Sequence, residues 1–595
     1  MEAKNYLVGG IVSRELLAKF RALSVSLPDF RYQDTKKNMS IFLLAGGNHF
    51  TCRENAKHLL VVAGHIYHSG KEAVNIEALE GIERSYLANG HIPFEHLEGS
   101  FTIILLNKAE RTITIYRNIL GLPPIYYSQT QKSAVFSDNL SILAQIHSNL
   151  DSKLEVNSRQ LPTHLMFGRP SGRETLFKGI FKVMPGEQAC FRENNVSLLQ
   201  LQTFADIIGP TIDDCAEYLE KVMQKIIGEY TRTYPRMGSF FSGGVDSSYI
   251  QAHLVQCLSG DLRTYSVDLV HPSWKREHEY AKSGSEFFKS RHTFIRVVPR
   301  TYPSLLIETT EMLGQHVCHA QTAFVPIISG AAVQDVPVCL CGMCADTLFG
   351  TEIGRHIDVS YQIRRLVPWN FIRRIMMRTV EILPKTRLSS DWLQTMQECM
   401  ELDLKNDSSP THPFNTSQRA NLGLMFDIFG RKKVTEAMYQ RRAMLTRYKI
   451  TGTIKRRVHS LYLLLCTEIC ERFYQVASCS GLNMIFPYLD SRIVKATLSM
   501  NTHYRLPPMQ TKKVLKDALG KYLPNELVYR KKSAWGVPLF EWLGTGGVLS
   551  QLVEKINEYP FLEGKMNAVK KTQGWFLWNL LTFDLWHKLF IDRNP

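Results

Sequence analysis

The stretch MGSFFSGGVDSSYI, residues 237–250, decides the fold of the C-terminal part of this chain. An apolar run typical of a buried strand ends in SGG at 242–244, and a helical pattern follows Asp246. Two glycines let backbone N–H groups approach an anion closely. The first turn of a helix adds free N–H groups and the positive end of its dipole. Because a carboxylate repels phosphate, Asp246 is expected to hold a divalent cation that bridges to phosphates.

The surrounding pattern predicts two domains, 1–205 and 210–595. In the second, strand-like runs alternate with helix-length segments such as SSYIQAHLVQCL at 247–258, which predicts an α/β parallel sheet with helices on both faces. After about residue 355 the strand signals fade and a helical part follows, with a loop expected at 403–418. The first domain shows short β-branched and aromatic runs between turn signals, which predicts a layered antiparallel structure.

Composition narrows the class of protein. The 595 residues are 44% hydrophobic and 21% charged, as in an ordinary globular protein. No run approaches the roughly 18 apolar residues of a membrane span, and no secretory signal opens the chain. We therefore expect a cytoplasmic protein without a membrane partner. The net charge of +16 favours anionic partners or a dispersed basic surface. No zinc-finger or RNA-recognition signature accompanies it, so no nucleic-acid partner is expected.

Twelve cysteines are spread over the chain, which is not the density of a disulfide scaffold. Only Cys339, Cys341 and Cys344 cluster, as C-x-C-x-x-C. A metal or iron–sulfur site there would need a fourth ligand, and none is evident. Buried free thiols are therefore favoured over a metal site.

Two motifs carry a family resemblance. SGGVDS at 242–247 lacks the Gly-Lys-Ser/Thr of a Walker loop. It resembles the pyrophosphate loop of ATP pyrophosphatases, which cleave ATP between the α and β phosphates and form an adenylate. VCLCGMCADTLFG at 338–350 resembles the S-G-x-G-A-D-E-L-F-G segment of asparagine synthetases and their relatives, with Gly342 and Asp346 at matching positions. Three positions depart from that pattern: Cys341, Cys344 and Thr347.

Further segments keep the order of this family. They are TYSVDL at 264–269, REHEYAK at 276–282, FPYLDSRIVKATLSM at 486–500, TKKVLKDAL at 511–519 and LPNELVYRKKSAWGVP at 523–538. The resemblance thus spans about 210–545, and several collinear motifs are far more specific than one. It implies ATP and Mg²⁺ as cofactors, with Asp246 and Asp346 as the metal ligands.

The resemblance also implies roles for individual residues. The nucleotide-binding residues would be Ser242, Gly243, Gly244, Asp246, Ser247, Ser266, Val267 and Gly342. Lys512 and Lys532 stand at the two family lysines and would be catalytic, offsetting charge on pyrophosphate and on the developing oxyanion. Without the motifs, each lysine alone is better interpreted as a solvated surface residue.

The first 205 residues resemble the glutaminase domain of the same family, for example in LLVVAGHIYHSGK at 59–71 and HLEGSFTIIL at 96–105. The implied fold is an α+β sandwich of antiparallel sheets, like that of N-terminal nucleophile hydrolases. Such a glutaminase needs a cysteine exposed by removal of the initiator Met. Here Glu2 occupies that position and the first cysteine is Cys52. We therefore expect this domain to be inactive.

The glutamine pocket is also altered. The family's N-G-E reads Ala63-Gly64-His65, so its amide and its carboxylate are both absent. His65 is expected to be a packed or solvated histidine rather than a catalytic one. Without ammonia from glutamine, the acyl acceptor would be another amine.

Two relatives of the family use such an acceptor. β-Lactam synthetases close a small ring, and lasso-peptide cyclases join an Asp or Glu side chain of a peptide to its N-terminal amine. Met343 stands where asparagine synthetases carry glutamate and β-lactam synthetases carry the tyrosine of a base dyad. Methionine cannot accept a proton, whereas a peptide α-amine, with a pKa of about 8, is substantially free near neutral pH. The resemblance therefore favours an AMP-forming carbon–nitrogen ligase that closes a macrolactam.

Several alternatives stay open. The chain could be a β-lactam-synthetase-like enzyme, an asparagine-synthetase-like enzyme that uses free or partner-supplied ammonia, or a nucleotide-binding regulatory protein without turnover. The intact aspartates at 246 and 346 disfavour the last of these. The expected partners are a peptide or small carboxylate substrate and, for a peptide, a leader-peptide-binding protein and a leader protease.

Overall fold

A computed structural model describes most of the chain. The described residues are 6–17, 30–36, 39–46, 50–68, 73–150, 153–258, 262–350, 352–367, 422–530, 537–571 and 574–592. Three features considered above lie outside these ranges: Glu2, the segment 403–418 and Lys532. No helix among the described residues combines the length and the apolar character needed to cross a membrane.

The N-terminal part contains two antiparallel sheets. Their strands are β1 (Tyr6–Ser13), β2 (Phe30–Lys36), β3 (Met39–Gly46), β4 (Phe50–Glu54), β5 (His58–His68), β6 (Ala73–Val74), β7 (Leu97–Asn107), β8 (Thr112–Arg117), β9 (Ile125–Gln129), β10 (Ser133–Ser137), β11 (Ile180–Val183), β12 (Glu187–Arg192) and β13 (Asn195–Gln200). One sheet has the order β11-β9-β10-β1-β3-β2. The other has the order β13-β12-β8-β7-β5-β4, with β6 paired to β5.

The two sheets pack face to face, because alternate residues of their strands point to a shared apolar layer. Leu7 and Leu43 from the first sheet and Ile104 and Ile113 from the second belong to one buried cluster. The outer face of the second sheet packs on the helix Ile76–Asn89. These layers confirm the predicted α+β sandwich.

The C-terminal part contains a five-stranded parallel sheet. Its strands are β14 (Met237–Phe240), β15 (Arg263–Leu269), β16 (Arg291–Val297), β17 (Val338–Leu340) and β18 (Asn483–Ile485), in the order β16-β15-β14-β17-β18. The α/β prediction is confirmed. The prediction that strand signals end near residue 355 was wrong in one respect, since β18 lies beyond it. This strand has only three residues, too few to show a period.

Helices pack on the sheets of both parts of the chain. In chain order they are α1 (Ile76–Asn89), α2 (Leu140–Leu150), α3 (Leu161–Phe167), α4 (Phe204–Ile207), α5 (Cys215–Thr233), α6 (Val245–Cys257), α7 (Lys275–Phe287), α8 (Tyr302–Leu313), α9 (Val325–Ala332), α10 (Ala345–Phe349), α11 (Glu352–Leu366), α12 (Leu422–Arg447, broken at Gly430), α13 (Ile454–Cys479), α14 (Ser491–Ser499), α15 (Thr502–Arg505), α16 (Lys513–Leu519), α17 (Asn525–Val528), α18 (Leu539–Leu543), α19 (Ser550–Glu554), α20 (Met566–Lys571) and α21 (Trp575–His587).

The strand order reverses between β14 and β17. The chain runs outward from β14 through β15 to β16, then returns to the other side of β14 for β17. The loops that leave the carboxyl ends of β14 and β17 therefore diverge and leave a crevice between them. Such a switch point is where open parallel sheets bind their ligands.

A buried ion network joins the N-terminal sandwich to α13. Glu471 on α13 accepts a hydrogen bond from Arg117 at the end of β8 and another from Lys182 on β11, the latter at 2.6 Å. Burial alone would raise the pKa of Glu471, but the charges of Lys182 and Arg117 hold that pKa below its ordinary value. The carboxylate is therefore ionised and is required to balance two cations.

Replacing Glu471 by Gln should lower the free energy of unfolding by about 3–5 kcal/mol, because Arg117 and Lys182 would keep buried charges without their carboxylate. Denaturant or thermal unfolding measures this loss. Glu155→Gln is the control, since it removes an exposed pair with Lys178 and should leave the unfolding midpoint unchanged. Equal losses in the two variants would contradict the assignment.

Candidate active site

The loop after β14 has a shape that glycine makes possible. Gly243 has φ of 66°, and a Cβ at this position would lie 2.2 Å from the carbonyl oxygen of Tyr280 on α7. Only glycine adopts this backbone conformation without strain at so close an approach. The turn is closed by serine hydroxyls: the Gly244 N–H donates to Ser242 Oγ at 3.3 Å, and the Ser247 hydroxyl donates to the Gly244 carbonyl at 3.2 Å.

Helix α6 starts directly at this loop. Gly244 is its N-cap, and no side chain caps the helix there. The N–H groups of the first turn are therefore available to an external acceptor, at the positive end of a 13-residue helix. This is the geometry by which helices bind phosphate groups.

Arg530 is a further cation at the loop. Its Nε donates to the Gly243 carbonyl at 3.1 Å, and its guanidinium lies 3.7 Å from the ring centroid of Tyr280. Burial lowers the pKa of Arg530. The sequence reasoning did not single out this residue, although it stands two positions before Lys532 in the motif at 523–538.

The loop after β17 brings the second carboxylate to the same place. Cys344 has a left-handed φ of 77° and forms the N-cap of α10, which carries Asp346 in its first turn. Gly342 lies against the first loop, since a Cβ there would be 3.2 Å from the Ser247 backbone nitrogen. The two predicted aspartates thus stand on either side of the switch point.

Lys512 connects the two aspartates. Its Nζ lies 2.7 Å from an oxygen of Asp246 and 2.7 Å from an oxygen of Asp346. Its backbone has φ of 57°, and its N–H donates to the Phe349 carbonyl at the end of α10. Burial would lower the pKa of Lys512, but the two carboxylates raise it above its ordinary value. Lys512 is therefore a charged, buried residue of the site and not a solvated surface lysine.

The two carboxylates suit a hard divalent cation. The Lys512 ammonium fills the position between them, so Mg²⁺ would share the carboxylate oxygens with this ammonium or displace it. Carboxylate oxygens are the ligands that Mg²⁺ prefers, together with water and phosphate. The residues present therefore fit the metal that the sequence predicts.

Ser266 and Val267 lie on β15, the strand next to β14. The Ser266 hydroxyl is 2.9 Å from Nε2 of His292 on β16. Burial, with the charge of His278, lowers the pKa of His292 to about 4, so this ring is neutral near pH 7. Both predicted residues are half-buried at the side of the crevice away from β17.

The motif at 486–500 supports the site from below. The Tyr488 hydroxyl donates to the Asp246 carbonyl at 2.9 Å. Asp490 caps α14 and pairs with Arg492 at 2.8 Å, and Arg492 also bonds to Glu229 on α5. Tyr488 therefore holds the backbone at Asp246, and the Asp490–Arg492–Glu229 contacts tie α14 to α5.

His65 is packed in the interface between the two parts of the chain. It is only 3% exposed and meets the Tyr230 ring of α5 edge-on, with the centroids 4.3 Å apart. Burial, partly offset by Asp490, lowers the pKa of His65 to about 3. Gly64 next to it has φ of 90°, and a Cβ there would lie 2.3 Å from the Ser100 carbonyl oxygen. A neutral ring in contact with tyrosine is a packing residue, as predicted.

A cavity of about 260 Å³ lies beside α10. Thr347 and Cys466 form part of its wall, and two arginines, Arg169 and Arg441, face it. Arg169 pairs with Glu468 at 3.3 Å. The Nε and Nη1 atoms of Arg441 are buried and have no hydrogen-bond partner among the described residues. Glu468 lies close enough to act on the charge of Arg441. The two buried nitrogens without a hydrogen bond can still donate to an anionic ligand in the cavity.

Arg441 is held in place by an aromatic ring. Its guanidinium carbon lies 4.2 Å from the ring centroid of Phe167. Burial, with the charge of Arg169, lowers the pKa of Arg441 to about 9. Contact with the ring holds the guanidinium in place without using its N–H groups as hydrogen-bond donors. The sequence reasoning missed this cavity, because its walls come from segments more than 400 residues apart, from Phe167 to Asn579.

Comparison with known proteins gives the same assignment as the motifs. The asparagine synthase family matches residues 219–588, and a glutamine amidotransferase domain matches residues 39–204. The chain belongs to the asparagine synthase family. Members of this family are ATP-dependent ligases that form carbon–nitrogen bonds through an adenylate. This protein is accordingly an enzyme of that ligase class.

Individual relatives are distant. A Mycobacterium tuberculosis protein named after glutamine-hydrolysing asparagine synthetases is 22% identical over 87% of this chain and 80% of its own length. Asparagine synthetase 1 of Bacillus subtilis is 19% identical over 84% of this chain and 78% of its own length. A solved glutamine phosphoribosylpyrophosphate amidotransferase from B. subtilis covers 49% of this chain and 60% of its own, at 11% identity and a TM-score of 0.20.

Asp246→Asn and Asp346→Asn should each lower AMP release by at least about 100-fold, because each variant removes a carboxylate that would hold Mg²⁺ on the phosphates. Steady-state assays of AMP measure the effect, and circular dichroism checks the fold. Asp335→Asn is the matched control. Asp335 accepts a hydrogen bond from Tyr265 at the opposite, amino-terminal edge of the same sheet. Near-wild-type activity in either of the first two variants would show that the crevice is misassigned.

Proposed function

We propose that this enzyme activates a carboxylate of a peptide as the acyl-adenylate and closes a macrolactam on the peptide's own N-terminal amine. In this proposal residues 210–595 form the synthetase domain, and residues 1–205 form a glutaminase-like domain without glutaminase activity. The observation that carries the adenylation step is the contact of Lys512 with both Asp246 and Asp346. The observation that favours an internal amine is the packed His65 in place of a glutamine pocket.

The chemistry follows from the charges at the crevice. A carboxylate oxygen of the substrate attacks the α-phosphorus of ATP, the bond to the β-phosphate oxygen breaks, and pyrophosphate leaves. The N–H groups at the start of α6 and the hydroxyls of Ser242 and Ser247 would bind the phosphates. Lys512 and Arg530 would offset the negative charge of the leaving pyrophosphate. Mg²⁺ held by Asp246 and Asp346 would neutralise the phosphate chain.

Amide formation then needs a free amine close to the acyl group. The amine nitrogen attacks the acyl carbon, AMP leaves, and the nitrogen loses one proton. The turn that precedes α10 presents Met343, a half-buried thioether that cannot accept this proton. A peptide α-amine suits this environment, since a large fraction of it is already neutral near pH 8. Lys532, at the second family lysine, would face the oxyanion of this step.

The arginine-lined cavity supports an acidic peptide as the substrate. Thr347, next to Asp346 on α10, lines it, and Arg441 has two buried nitrogens, Nε and Nη1, without a partner among the described residues. A carboxylate of the substrate would balance this charge. A leader-peptide-binding protein and a leader protease are the partners that such a substrate would require.

Asparagine-synthetase-like amidation of a free amino acid is the second candidate. The names of the curated relatives favour it. In this case ammonia, supplied free or by a partner, would be the acceptor. The two candidates share the adenylation step and differ only in the acyl and amine substrates.

A substrate panel distinguishes the candidates. The protein is incubated with ATP and Mg²⁺, and either with linear peptides that place one Asp or Glu at successive positions or with aspartate plus ammonium. We expect AMP release with a subset of the peptides and a product lighter by one water. N-acetylation of an active peptide should abolish the ring product, and Asp→Asn at the acidic position should abolish AMP release as well. AMP release stimulated by aspartate alone would refute the macrolactam proposal.

Arg441→Gln should raise the KM for an active peptide by about 10- to 100-fold, because a charge-assisted contact to a carboxylate is lost. The KM for ATP should stay unchanged, since none of the residues assigned to nucleotide binding lines the cavity. Arg431→Gln is the control: Arg431 is on the same helix, exposed, and lies over Phe426. A parallel rise in both KM values for Arg441→Gln would indicate a structural role instead.

A further inference from the structure

Three buried thiols meet behind the Asp346 turn. Cys344 Sγ lies 3.1 Å from Cys466 Sγ and 3.5 Å from Cys470 Sγ, and the three sulfurs lie within 4.8 Å of one another. All three residues are at most 9% exposed, and none forms a disulfide. The proposed reaction gives these thiols no role.

The cluster is assembled from two distant segments. Cys466 and Cys470 are four residues apart on α13 and therefore share one face of that helix. Cys344 reaches them from the left-handed turn that starts α10. The sequence pattern grouped Cys344 with Cys339 and Cys341 instead. Those two thiols are buried on and just after β17 and do not belong to the cluster.

The sulfur–sulfur distances fit three ligands of one metal ion better than they fit a disulfide bond. A disulfide requires a sulfur–sulfur distance of about 2.05 Å, and a bond between Cys344 and Cys466 would leave Cys470 unused. Three thiolates around one zinc ion, each about 2.3 Å from it, have sulfurs about 3.8 Å apart. The observed separations of 3.1 and 3.5 Å are somewhat shorter than this value, so the sulfurs would move apart by a few tenths of an ångström to admit the ion, and all three residues take part.

We propose that Cys344, Cys466 and Cys470 bind one soft d¹⁰ cation, Zn²⁺, as a three-thiolate site. On binding, three S–H protons pass to solvent and the cation takes their place, so the site goes from neutral to a charge of −1. The neighbouring cavity supplies compensation, because Cys466 lines it together with Arg169 and Arg441. The fourth zinc position is left to a water molecule, as in other sites with three protein ligands.

Bound zinc would fix the turn that carries Asp346. Cys344 is two residues before Asp346, and α13 is the long helix that also holds Glu471 of the buried ion network. A thiolate–metal link between the turn and α13 would position the carboxylate beside Lys512. The metal would therefore be a positioning element, chemically separate from the Mg²⁺ between the aspartates. Nothing in this inference depends on which amine is the acceptor.

The test is the metal content of the full-length protein, expressed in zinc-supplemented medium and purified without chelators. We expect about one zinc per chain by elemental analysis. Replacement of zinc by Co²⁺ should give thiolate-to-metal charge-transfer absorption. The Cys466→Ser/Cys470→Ser variant should lose both signals. Cys479→Ala, which removes another buried thiol of the same helix, should keep both.

Other outcomes would overturn the site. Substoichiometric zinc together with no charge-transfer band on Co²⁺ titration of the wild-type protein would exclude it. So would a Cys344–Cys466 disulfide, found by mass spectrometry after alkylation of the unreduced protein. If the double variant fails to fold, Cys344→Ser and the cobalt titration of the wild-type protein still decide the question, because the spectrum reports on the sulfur ligands directly.

Discussion

The ammonium of Lys512, held between Asp246 and Asp346, is the interaction on which the candidate site depends. Two carboxylates brought together at the end of a sheet repel each other, and neither could be desolvated without a cation. Lys512 comes from a segment 266 residues after Asp246, so the ion triad can form only when three distant parts of the chain are in place. The reversal of strand order between β14 and β17 is what brings the two acidic loops into reach of one lysine.

The sequence predicted the components of this triad because each of them lies in a short motif of consecutive residues. The SGGVDS loop, the Asp346 segment and Lys512 all stand in short motifs with fixed spacing. Short sequence patterns do not predict contacts between residues that are far apart in the chain. The stacking of Arg530 on Tyr280 and the meeting of Cys344 with α13 depend on how segments pack. Strand β18 was missed for a related reason, since three buried residues carry no periodicity.

The N-terminal part illustrates a different limit. Substitution of the family's N-G-E by Ala63-Gly64-His65 predicted the loss of glutamine binding from residue types alone. The sequence could not distinguish a packed His65 from a solvated one, because that depends on Tyr230 of a helix in the other half of the chain. Glu471 also lies between the two parts of the chain, where it balances the charges of Arg117 and Lys182. Through these contacts the N-terminal part packs against the part that carries the crevice.

Helix α10 couples the two halves of the proposed reaction. Asp346 of this five-residue helix contacts Lys512, and the next residue, Thr347, lines the arginine-lined cavity. A helix so short is nearly rigid when both of its ends are fixed, here by the Cys344 turn and by the Lys512 N–H bond to Phe349. An acidic peptide bound in the cavity and a phosphate chain bound in the crevice would therefore both be positioned by the backbone of α10. In-line attack requires a fixed distance and direction between the attacking carboxylate oxygen and the α-phosphorus. The position of α10, more than any one charge, would therefore set the distance between the bound acyl group and ATP.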